Sequence, residues 1–170
     1  MPQLTWIAPR RMTDTVLICA DGRCGVSEAA CTSSRLLATL RTESSDPLEV
    51  PTPDFKVATA SAAVEFLEHH VVEPFADIEP PLKQPFEDCI STWDRSFLTA
   101  VQQRGPTAVA ELLTFACYLD IPQLRSLCSA SLASSLQSCG EHEVFGQLGV
   151  DPLSDAAVDK ACSNFPWLQQ

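Results

Sequence analysis

Basic residues are scarce in this chain. Eleven Lys and Arg stand against 22 Asp and Glu, for a net charge of −11 with His neutral. Nucleic acids and anionic membrane surfaces are bound by clustered Lys and Arg, so neither partner is expected. Aromatics are few as well, with a single Tyr and three Trp, and the expected core is Leu, Val, Ile and Ala. Histidine occurs only at His69, His70 and His142, and no nucleophile motif accompanies them. A Gly-rich phosphate loop is missing, and the carboxylates read as linker charges and helix caps. An enzyme is therefore not expected. No apolar run approaches the roughly 20 residues that span a bilayer. Met1 to Met12 lacks the apolar stretch of a secretory signal, and residues 1–13 are expected to form a flexible extension.

Paired Cys-x-x-Cys spacing is also missing among the eight cysteines. The nearest approach, Cys139-Gly140-Glu141-His142, reads as a loop between helices. A chain of 170 residues without a secretory signal does not suit a disulfide framework, and Cys117 and Cys128 fall inside helical patterns. Reduced thiols acting as small apolar side chains are expected, with no metal and no cofactor.

Thr15 to Ala20 is apolar and β-branched and ends at Asp21-Gly22, which predicts a hairpin returning over Arg23 to Val26. Ser27 is placed to cap a short helix over Glu28 to Cys31. Ser33 or Ser34 is placed to cap a second, over Arg35 to Leu40. Leu48 to Val50 reads as a short strand stopped by Pro51 and Pro53. Helical periodicity covers Ser61 to His70, with Ala62, Ala63, Phe66 and Leu67 on one side. Residues 73–88 hold four prolines among carboxylates and read as an exposed, mobile linker. Three further helices follow. One carries Trp93, Phe97, Leu98 and Val101; the next, restarting at Gly105-Pro106-Thr107, carries Val109, Leu112, Leu113, Ala116 and Leu119. The third opens at Pro122, a favoured first-turn residue. Short helices are expected over Glu143 to Leu148 and Ser154 to Cys162, before Pro166. A small early sheet with later helices is an α+β arrangement.

Two motifs stand out at the edges of these helices: Trp93-Asp94-Arg95-Ser96-Phe97-Leu98 and Cys117-Tyr118-Leu119-Asp120-Ile121. With Val50-Pro51-Thr52-Pro53 upstream and the His69-His70 pair between, the sequence from about Asp14 to Val150 resembles the S-phase-kinase-associated adaptors. These are the subunits that hold F-box proteins in cullin-based ubiquitin ligases. Elongin C is shorter, so the residues after Gln137 argue against that relative. The resemblance implies a BTB/POZ fold over residues 14–120 and F-box-binding helices over 121–170. It implies bridging of F-box proteins to a cullin, in cytoplasm and nucleus, without chemistry. Carried over residue by residue, the F-box surface comprises Leu124, Leu127, Leu132, Leu136, Val144, Leu148, Val150 and Trp167. The cullin surface comprises Cys117 and Tyr118.

The sequence departs from the family pattern twice. Cys117 stands where the family has Asn, and Asn164-Phe165-Pro166-Trp167 replaces an Asn-x-Trp ending. The first departure keeps a second reading open, a scaffold that binds F-box proteins in a non-ligase assembly and has lost the cullin. A cysteine-dependent redox or metal protein is a third class, separable by zinc analysis. By periodicity alone, the short C-terminal helices either fold back on the core or present an apolar face to a partner.

Overall fold

Alternating burial builds the sheet. A computed structural model of the protein describes residues 15–43, 47–79, 82, 84–137, 139–140, 143–144 and 154–165. Strand β1 (Thr15–Cys19) sends Thr15, Leu17 and Cys19 inward and leaves Val16 and Ile18 half-buried on the outer face. Strand β2 (Gly22–Val26) pairs with it antiparallel, Leu17 opposite Cys24. Strand β3 (Leu48–Thr52) pairs with β1 in parallel, giving the order β2-β1-β3.

The hairpin falls one residue earlier than the Asp-Gly signal predicts: Ala20-Asp21 connects the strands and Gly22 opens β2. A Cβ on Gly22 would lie 3.0 Å from Val57 Cγ2, so a larger residue there would press on the start of the next long helix. Asp21 has a separate task. Helix α3 (Val57–Val72) begins after Lys56, whose side chain caps nothing. The Val57 N–H instead donates to the Asp21 carboxylate at 2.6 Å. A hairpin turn thus supplies the cap, with negative charge at the positive end of the helix dipole. Strand β3 runs through Pro51 instead of stopping there. It is an edge strand, where a missing N–H costs no ladder bond.

Ser27 caps α1 (Glu28–Cys31), accepting from Ala30 N at 3.2 Å. Ser34 caps α2 (Arg35–Glu43), which runs past Leu40. Helix α3 is longer than the Ser61–His70 pattern at both ends and buries Ala60, Ala62, Ala63, Phe66 and Leu67. Then come α4 (Thr92–Gln102), α5 (Ala108–Tyr118), α6 (Pro122–Gln137) and α7 (Asp155–Asn164). With seven α-helices and one three-stranded sheet among the described residues, the fold is α+β. Helix α3 lies on β2 and α1, α5 packs on α3, and α6 packs on α5.

One apolar core joins these layers, from Leu17 and Val26 through Phe66 and Phe115 to Leu124 and Leu127. It crosses residues 120–121, so the expected division at that point does not separate two packed units. Most described residues between 73 and 88 are exposed, as expected of a linker, but the large apolar ones among them are not. Phe75, Ile78 and Leu82 pack half-buried on the core, and Phe86 is buried in a 3-10 turn (Phe86–Cys89). The apolar residues between the prolines therefore fasten the segment as a strap. The N-terminal extension 1–13 and Phe145 to Leu148 of the short helix expected near Val144 lie outside the described residues.

Candidate partner-docking surfaces

The Tyr-Leu-Asp-Ile motif is first a helix ending. Helix α5 stops at Tyr118, and Asp120 follows in the left-handed region with φ of 48°. The Ile121 N–H donates to the Ala116 carbonyl at 2.9 Å and the Asp120 N–H to the Cys117 carbonyl at 3.2 Å, the pair of bonds of a Schellman cap. Ile121 and Ala116 are both fully buried, supplying its apolar contact. The turn is pinned from the other half of the chain. The Ser34 hydroxyl donates to the Leu119 carbonyl, and the Arg35 N–H donates to the Asp120 carbonyl at 3.0 Å. Arg35 and Arg125 lie 3.8 and 3.7 Å from the Asp120 carboxylate.

Within that ending Cys117 and Tyr118 are exposed, Asp120 is partly exposed, and Leu119 and Ile121 are buried. The Tyr118 ring is 44% exposed, leans on Phe55, and donates its hydroxyl to the Pro51 carbonyl at 2.7 Å. Phe55 in turn meets Phe115 edge-on, with centroids 4.8 Å apart. The two residues assigned to the cullin surface thus sit together, on a fixed aromatic base beside the edge strand.

The Trp-Asp motif is mainly internal. Phe97 and Leu98 are core residues, and Asp94 is only 2% exposed. Ser91 caps α4, accepting from Asp94 N and donating to Asp94 Oδ2 at 2.7 Å. Trp93 lies stacked between His69 and Phe97, with centroids 3.7 and 5.2 Å away. The adjacent histidines and the Trp-Asp pair, separate signals in the sequence, form one cluster where α3 ends and α4 begins.

The F-box assignments divide. Leu124 and Leu127 are fully buried against α5, and Leu132 is 9% exposed. This corrects their place on a docking face: α6 turns these leucines into its own core. Leu136 and Val144 are half-buried and stay accessible. Leu148, Val150 and Trp167 lie outside the described residues. Helix α7, capped by Ser154, buries no residue. Ala157, Val158, Ala161, Cys162 and Phe165 follow helical spacing along it, with Val158 42% and Phe165 53% exposed. A groove of about 350 Å³ between α4, the 3-10 turn and α6 is floored by Phe86 and Leu98 and edged by Arg95 and Ser134.

No disulfide joins any of the eight cysteines. Burial pushes the Cys24 and Cys31 thiols up, and it pushes Cys128 up to about 12. These thiols pack as apolar groups and are poor nucleophiles. Among the described residues no group of three or more His, Cys, Asp or Glu could hold a metal ion, and no helix is long and apolar enough to cross a membrane. No protein-family model matches this sequence, and no curated protein matches it.

Proposed function

We propose that this chain is a non-catalytic adaptor of BTB/POZ type that bridges an F-box protein to a cullin scaffold in a ubiquitin ligase. The observation that carries the reading is α7. None of its residues is fully buried: on its apolar face Ala157, Ala161 and Cys162 are half-buried and Val158 is 42% exposed, little burial for a helix of ten residues. A partner's apolar helix would bury that face. The element order also supports the reading: hairpin, two short helices, edge strand, long helix, acidic strap, Trp-Asp helix, Tyr-Leu-Asp helix. In this role the protein works in cytoplasm and nucleus and binds neither nucleic acid nor membrane.

The second reading is an F-box-binding scaffold without a cullin. It is favoured by Cys117 in place of the family Asn and by the Tyr118 hydroxyl, which is already engaged with Pro51. Affinity purification with mass spectrometry, scoring F-box proteins and cullins separately, decides between them. Recovery of both classes supports the ligase adaptor. F-box proteins without a cullin support the scaffold, and recovery of neither class rules out both.

A further inference from the structure

His70 lies in the last turn of α3 with its side chain 7% exposed, and both ring nitrogens point at acceptors. Nδ1 lies 2.7 Å from the Glu73 carbonyl oxygen, and Nε2 lies 3.1 Å from Asp94 Oδ1. A carbonyl can only accept. The Asp94 carboxylate already accepts from the Ser91 hydroxyl on its other oxygen. A neutral imidazole carries one N–H and can satisfy only one of the two contacts. The imidazolium satisfies both. Phe66 and Phe75 hold the ring in place, with centroids 4.4 and 5.3 Å away.

We propose that His70 is a proton-operated latch, which in its doubly protonated form clamps the strap after α3 to the start of α4. It joins three parts with polar contacts, α3 through its own backbone, the strap through the Glu73 carbonyl and α4 through Asp94, beside the ring contacts of Trp93 with His69 and of Phe75 with Phe66. Two carboxylates face it or line its cavity. Asp94 faces it from α4, and Asp77 on the strap lines the same cavity. The Glu73 carboxylate sits 3.3 Å from Nε2 of the neighbouring His69, the one other titratable base there. Losing one proton removes one clamp. With the latch open, strap residues 73–79 lift from a cavity of about 330 Å³, uncovering Phe66, Leu67 and the Gln123 side chain. Because the bound form is the protonated one, the clamp holds at lower pH and is lost as pH rises.

The test uses the full chain. Nitrogen-15 NMR of the histidine rings, with His70 assigned by its absence in His70→Gln, reads the protonation of each nitrogen directly. Both His70 nitrogens should be protonated wherever the strap is protected. Hydrogen exchange of residues 73–79, corrected for the intrinsic effect of pH, should accelerate about ten-fold or more as the ring loses its proton, the scale of one charged hydrogen bond. In His70→Gln, protection should be low and independent of pH. If that variant does not fold, Asp94→Asn keeps the shape of the site and should flatten the same pH response. A singly protonated His70 beneath a fully protected strap overturns the latch. So does a pH response that persists unchanged in either variant.

Discussion

Replacing Leu124 by Ala separates the two tasks that α6 could have. The side chain is 0% exposed and sits in the core shared by α5 and α6. Trimming it removes the transfer free energy of three carbons and leaves a cavity that the packed neighbours Leu127 and Ile121 only partly close. Such a change costs about 3 kcal/mol. For a chain of this size that lowers the melting temperature by roughly 6–12 °C. Leu136→Ala is the control, because Leu136 is half-buried and should cost about 1 kcal/mol or less. Urea denaturation followed by circular dichroism gives the stability, and capture of an F-box protein at low temperature, with both variants folded, gives binding. Leu124→Ala should lose stability and keep partner binding, and Leu136→Ala should do the reverse. A Leu124→Ala protein with wild-type stability and no partner binding would refute the assignment of that residue to the core.

Asp120→Gly should leave stability unchanged or slightly higher, because glycine accepts the left-handed turn freely. Asp120→Val should cost about 1–2 kcal/mol at that φ, and equal denaturation midpoints for the two variants would show the turn to be unstrained. Asp21→Ala removes the borrowed cap of α3 and should cost about 1 kcal/mol by urea denaturation; an unchanged midpoint would mean the Val57 N–H finds another acceptor. Burial raises the thiol of Cys128, so the unfolded chain releases that proton first; stability should be whole at neutral pH and fall as pH rises from about 9 towards 12. A Cys128→Ala variant whose stability fell just as steeply over that range would exclude this thiol as the cause. Truncation after Gln137 should preserve the thermal transition and abolish F-box capture, since the core of described residues closes with α6; an unfolded product would place the later residues within the core.

The local signals were legible because they act over a few residues. Ser27 and Ser154 cap where a hydroxyl before a helical pattern predicts. The β1–β2 pairing follows from alternation, and the buried side of α3 from its spacing. What escaped the sequence acts across the chain. Asp21 reads as a turn residue, and only the fold brings it to Val57. Phe115 lies on the α5 stripe, three residues after Leu112 and four before Leu119, but only the fold shows Phe55 meeting it edge-on from the loop after β3. Residues 73–88 look unpackable by composition, but four spaced apolar residues suffice to fasten them. Leucines on a docking face and leucines in a core share the same period, so Leu124 and Leu127 could be told from Leu136 only by burial. Of the residues assigned to docking by resemblance, Cys117 and Tyr118 are exposed, while Leu148, Val150 and Trp167 lie outside the described residues.

Seen mechanically, the bonds from Ser34 and Arg35 to the turn at Leu119-Asp120 form a load path. Tension applied to the end of α6 is not borne by the α5–α6 connection alone. Part of it passes sideways into the start of α2, beside the path through α5 and α3 to the sheet. The direction of α6 is therefore set in part from 85 residues away. A pull or twist delivered by anything attached beyond Gln137 is felt in part as a shear of one short, buried seam. The stiffness of that seam adds to the α5–α6 packing in setting how firmly α6 is held.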